Sequence, residues 1–184
     1  MRGTEGRSFL KSFVVAAALT VTLLVPVGTA AASPTLTQKD SLEPALIQRI
    51  NEVRAEHHLP ALKAISLLTT AATKHSNNLG RVGAFRHEFR KNGSWIQFGT
   101  WIRWYWPGPG YDTWTAGENL AWGSPDITPA QTVTAWMNSP GHRANLLGTW
   151  TRVGVAIVRV DAPIGYYRDY PRVTIVAAEF GRRS

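Results

Sequence analysis

The stretch NSPGHRANLLG, residues 138–148, sets His142 three positions after Ser139 and directly behind Pro140 and Gly141. Serine followed by proline is the grammar of a helix start, so His142 falls in a first helical turn. The partial positive charge there disfavours imidazolium and keeps the ring neutral. A neutral imidazole can ligate a metal or act as a base, and Gly141, without a side chain, lets another group come close. The same pattern also describes a surface histidine in a capped turn, and spacing alone leaves these readings open.

Two common catalytic arrangements fit the other polar residues poorly. Ser139, His142 and Glu118 could serve as nucleophile, base and orienting acid. However, Ser139 already has a capping role, and no strained G-x-S-x-G elbow surrounds it. A glycosidase would need two carboxylates across a cleft, and only Glu88, Glu118 and Glu179 suggest themselves. His75 shares one helix face with Leu68, Ala72 and Leu79, where a histidine packs or hydrogen-bonds rather than reacts.

The elements that must position these groups follow from periodicity. Leu46, Ile50 and Val53 mark one face of a helix over 42–57, which ends before Pro60. A second helix runs from about Leu68 and ends near Gly80. Residues 84–117 have no clean period and hold five of the eight tryptophans: Trp95, Trp101, Trp104, Trp106 and Trp114. They read as a long aromatic loop or irregular sheet edge. GENLAWG, 117–123, reads as a short strand. Thr128, Pro129 and Gln131 spell a capping box before a third helix, and Ser139-Pro140 opens another that Gly148 stops. Arg152–Val160 and Arg172–Phe180 are Val/Ile/Ala-rich strands joined by DAPIGYYRDYP, which has turn chemistry. Helices first and paired strands last give an α+β layered domain with a mainly antiparallel sheet.

Composition bounds the setting. Arg2, Arg7 and Lys11, an apolar run from Phe13 to Val27 and Ala30-Ala31-Ala32 read as an export signal over residues 1–32. The run is shorter than the roughly 20 residues a bilayer needs. Residues 33–41 then read as a polar leader and 42–184 as one domain. With no cysteine, stability must come from burial rather than disulfides. A net charge of +8 favours anionic partners; for an exported protein these are wall polymers and lipid headgroups. The basic residues are scattered rather than striped, which argues against nucleic acid. The product is expected to be secreted, extracellular and monomeric, without stable membrane insertion.

Read together, INEVRAEH (50–57), FRHEF (85–89), AGENLAWG (116–123), WMNSPGHRANLLG (136–148), VGVAI (153–157) and the closing EFG (179–181) resemble the CAP superfamily of secreted SCP-like domains. The likeness is to its cysteine-free bacterial branch and covers residues 42–181 in order. It implies an α-β-α sandwich with a central cleft holding two histidines and two glutamates, the histidines able to hold a divalent metal. His87 matches the first histidine, Glu118 the first glutamate and His142 the second histidine. The second glutamate is absent, because Ser139 stands in its place.

On that alignment His87 and His142 are the candidate metal ligands, and zinc suits two imidazoles beside a carboxylate, with water in its fourth position. Asn119 and Asn145 brace the cleft backbone. Glu179 faces inward with Ile175 and Ala177 as support behind the cleft. Trp104 and Trp106 are candidate ligand-binding residues, with Arg90, Lys91 and Arg103 adding charge; alternatively the tryptophans pack a satellite core.

The leading functional expectation is a binding module for a lipid or cell-wall ligand, with no catalytic residue assigned. One alternative is a metal-assisted hydrolase of peptide or wall polymer that uses Glu118 and His142. The other is a structural envelope protein with a vestigial cleft.

Overall fold

Residues 33–184 are described here by a computed structural model; the export signal expected over 1–32 lies outside the described residues. The strand alternation at the end of the chain organises everything else. β6 (Arg152–Asp161) and β7 (Arg172–Arg183) form an antiparallel hairpin running from Arg152 opposite Gly181 to Asp161 opposite Arg172. β5 (Trp114–Gly123) pairs antiparallel on the other side of β7. It is longer than the GENLAWG strand expected, since its partner β7 continues to Arg183.

Residues 33–41 are not a detached leader. They contain β1 (Thr35–Gln38), an edge strand antiparallel to β6, whose Leu36 packs onto the core beside the sheet. A two-residue strand, β2 (Lys63–Ala64), runs parallel to the start of β6. The sheet order is β1-β6-β7-β5.

Period-two alternation gives this sheet two apolar faces. On one, Val153, Val155, Ile157, Val176, Ala178 and Phe180 meet Leu46, Ile50 and Val53 of α1 (Glu43–Glu56). Val133 and Trp136 of α4 (Pro129–Met137) and Leu146 of α5 (Pro140–Leu146) complete that layer. On the other face, Ala156, Val158, Val160, Ile175, Ala177 and Leu120 meet Ala72 and Leu79 of α2 (Ser66–Val82). The expected α-β-α sandwich is therefore the observed one.

Local signals held unevenly. The capping box of α4 is complete: Gln131 N–H donates to Thr128 Oγ1 at 3.2 Å, and Thr128 N–H donates to Gln131 Oε1 at 2.9 Å. Ser139 sits at the N-cap of α5 in extended backbone, but its hydroxyl makes no capping bond, contrary to the role expected for it. α2 runs past Gly80 and stops at Gly83, whose left-handed φ of 62° suits glycine at a helix end.

The aperiodic segment holds its own small structure. β3 (Phe89–Lys91) and β4 (Ser94–Ile96) form a hairpin, followed by α3 (Phe98–Trp101) and a 3-10 turn at Ile102–Trp104. Trp101, Ile102 and Trp106 close over Leu68 and Ala71 of α2 as a third apolar cluster. Among the described residues no helix is long and apolar enough to cross a membrane.

Candidate functional site

Three layers converge at Glu118. In the β5–β7 ladder it lies opposite Glu179, and both residues belong to the face covered by α2. His75 of α2 reaches down so that its Nδ1 is 2.5 Å from Glu118 Oε2. The other carboxylate oxygen, Oε1, is 2.6 Å from Nδ1 of His87, in the segment between α2 and β3.

Burial separates these groups. His75, Glu118 and Glu179 are buried, whereas the side chain of His87 is 55% exposed. His75 Nε2 lies 3.3 Å from the Glu88 carbonyl, an acceptor only, so that nitrogen donates. Its ring packs 4.6 Å from the Trp101 ring, and Trp101 Nε1–H donates to the His87 carbonyl at 2.9 Å. The aromatic cluster thus clamps the backbone that presents His87. His75, expected only to fill a helix face, is the inner anchor of the site. Its apolar face pointed inward in sequence, but no sequence spacing names a partner on a distant strand.

α5 brings His142 to the same region. Asn119 Nδ2–H donates to the His142 carbonyl at 2.9 Å, and Asn145 Nδ2–H donates to the Glu118 carbonyl at 2.9 Å and to Asn119 Oδ1 at 3.0 Å. Two asparagines therefore tie the helix start to the strand carrying Glu118, the bracing expected of them. Arg54 of α1 secures the other end of α5, donating from Nη1 to the carbonyls of Leu146 at 2.7 Å and Gly148 at 2.9 Å.

The electrostatics follow from these contacts. Burial opposes ionisation of Glu118, but the charge and hydrogen bond of His75 and the bond from His87 outweigh it and hold its carboxyl below the usual range. Burial and the adjacent Glu118 push Glu179 well up, so it keeps its proton. Neither Glu179 oxygen meets a histidine or backbone partner; the neighbouring Glu118 carboxylate is the acceptor for its proton. The hydrogen bond to Glu118 raises His87. His142 is lowered as expected, but through burial and the nearby His87.

His75, Glu118 and Glu179 offer ligand atoms all within 4.8 Å of one another, a buried group able to hold a metal ion. This is not the His87/His142 pair expected to do so. The second carboxyl beside Glu118 comes from Glu179 on β7, not from position 139. Glu179 was expected to face inward, and it does.

The two tryptophan candidates part company. Trp106 is fully buried, its Nε1–H donating to the Thr115 carbonyl at 3.1 Å, and so is no ligand platform; its ring packs in the satellite core. Trp104 is 41% exposed, with Lys91 Nζ 4.4 Å from its ring centroid.

Comparison with known proteins identifies relatives of this domain. Residues 47–167 match the family described as CAP, the cysteine-rich secretory protein family. A curated relative, the uncharacterized protein YkwD of Bacillus subtilis (strain 168), is 31% identical over 121 residues, covering 63% of this chain and 42% of its own length. The chain thus spans under half of that relative. Among solved structures, an outer surface protein from Borrelia burgdorferi superposes with a TM-score of 0.61 at 22% identity, covering 82% of this chain and 100% of that one. An extracellular protein containing a SCP domain from Bacillus anthracis does so with a TM-score of 0.58 at 24% identity, over 78% and 41% of the two chains.

Proposed function

The chain belongs to the CAP, or cysteine-rich secretory protein, family, and on that premise we propose that it is an extracellular binding module for a lipid or cell-envelope ligand, seated at His87, Glu118 and His142. One observation carries the reading: Glu118, anchored from beneath by His75, holds the exposed ring of His87 through Nδ1. The Nε2 edge of that ring is left to meet a ligand, with His142 close enough to feel its charge.

A divalent cation, zinc by its donor chemistry, suits this pair of imidazoles, and when bound it would supply a positive centre for an anionic ligand group. Glu118 orients His87, and Asn119 fixes the backbone of His142. Binding is favoured over hydrolysis because Glu118, with a side chain only 1% exposed and both oxygens engaged, is badly placed to take a proton from water.

Co-sedimentation with isolated envelope fragments stripped of anionic polymer and with zwitterionic phospholipid vesicles tests the reading. The wild-type chain should sediment with one of them, and His87→Ala/His142→Ala should lose most of that binding; unchanged binding would remove the cleft as the ligand seat. Zinc calorimetry on the same variant and on Glu179→Gln locates the cation. Heat lost only in the histidine variant supports the open pair, whereas heat lost only in Glu179→Gln moves the ion to the buried group.

A further inference from the structure

We propose that the aromatic segment and the end of β7 build a band of ring-held cations that binds an anionic envelope polymer, a chain of phosphodiester groups. The inference rests on the extracellular reading above, but uses a different surface from the histidine cleft.

Each cation of the band is placed by a ring. In the β3–β4 hairpin, the Trp95 ring carries the Arg86 guanidinium at 4.4 Å and that of Arg90 at 5.1 Å. On the other face of that hairpin Phe89 packs 5.5 Å from Trp104, whose ring holds Lys91 Nζ at 4.4 Å. Arg103, the neighbour of Trp104, lies 4.8 Å from the Trp114 ring. Trp114 stands opposite Arg183 in the sheet, and Arg183 covers both Trp106 at 4.6 Å and Tyr111 at 4.0 Å. The strand pairing brings Arg183 beside the ring that holds Arg103.

Of these, Arg86 is paired with Glu88 at 3.1 Å. Among the described residues Arg90, Lys91, Arg103 and Arg183 have no carboxylate partner, as is true of Lys63, Lys74 and Arg81 elsewhere; the ring against each of the four sets them apart. Stacking on rings restricts the long side chains, so less entropy is lost when an anion binds. Beyond Trp114 the band ends in a concavity of about 260 Å³ lined by Arg182, Arg183, Thr113, Thr115 and Thr149, which offers hydroxyl donors beside the charge.

The same geometry decides against a bilayer. The exposed aromatics of the band, Trp104 and Tyr111, each carry a cation over the ring. Inserting those rings into hydrocarbon would drag the charges with them, at high cost. A polyanion instead meets the charges where they already stand, and binds by releasing its counterions.

The test is binding of the purified chain to soluble poly(glycerol phosphate) across a salt series. Arg90→Gln/Lys91→Gln/Arg103→Gln should weaken binding at least about tenfold and flatten the slope of log affinity against log salt by about 2. Lys63→Gln/Lys74→Gln/Arg81→Gln removes the same charge from positions outside the band and should cost less than about threefold, by screening alone. His87→Ala/His142→Ala should bind the polymer like wild type. No wild-type binding, equal losses in the two charge variants, or loss in the histidine variant would each overturn the proposal. So would phosphatidylglycerol vesicles that bind the wild type as tightly as the polymer does and lose that binding in the band variant.

Discussion

Glu118 and Glu179 stand directly opposite each other on adjacent strands, both buried, yet only Glu118 is held by histidines. Two carboxylates so close cannot both ionise at modest cost, and the histidines decide which one does. Glu118 takes the charge because His75 and His87 hold it from two sides; Glu179 keeps its proton.

The two glutamates should therefore respond differently to the same substitution. Glu118→Gln unsettles both imidazole contacts and should cost about 3 kcal/mol of unfolding free energy, as breaking a buried pair does. Glu179→Gln replaces a neutral acid by a neutral amide and should change stability by less than about 1 kcal/mol. Urea unfolding at pH 7 measures both, and a large loss for Glu179→Gln would mean that its charged form matters.

Arg54 is a buried cation spent on carbonyls, those of Pro60, Leu146 and Gly148. Arg54→Met should leave the C-terminal end of α5 uncapped and destabilise the chain by about 3 kcal/mol. Hydrogen exchange should show the added opening in residues 140–148 first, because that helix bears the loss.

Gly154 is where α2 touches the sheet backbone to backbone. A Cβ there would lie 2.0 Å from the Thr69 nitrogen and 2.1 Å from the Leu68 carbonyl carbon. Gly154→Ala should cost about 3 kcal/mol in thermal or denaturant unfolding, since neither neighbour is a movable side-chain end. An alanine tolerated without loss would show that the helix can ride outward.

Glu43, at the start of α1, is raised to about 7 by burial and by the nearby Asp40. A carboxyl raised in the folded state binds its proton more tightly there than in the unfolded chain. Its contribution to stability is complete below about pH 4.5 and is lost as pH rises through about 7. Glu43→Gln should therefore melt higher than wild type at pH 8, with the difference fading below pH 4.5.

If zinc sits between His87 and His142, its affinity must fall as the pH drops, because Glu118 makes His87 easier to protonate. Calorimetry at about pH 6 and about pH 8 should show weaker binding at the lower value. A pH-independent affinity would exclude His87 as a ligand.

Much of this molecule was legible along the chain. The face of α1, the capping box at Thr128 and the alternation of Val153, Val155 and Ile157 are local patterns, and each became the expected element. Linked motifs also pointed to His87, Glu118 and His142 as neighbours, and the bond between His87 and Glu118 is present. Ser139 shows the limit even locally, since a good capping residue can reach the right backbone position and make no bond.

What the tertiary structure alone decided are contacts between elements far apart in sequence. Period two tells which side of a strand a residue faces, but not which residue of another strand stands opposite it, so the pairing of Glu118 with Glu179 had no local signature. Likewise nothing in sequence distinguishes Trp104 from Trp106; one lies under the chain's own folded segment and the other on top of it. The cations are scattered in sequence, and only the fold sets Arg183 beside the ring that holds Arg103. Secondary structure answers to neighbours within a few residues, whereas a site or a charged surface depends on how whole layers pack.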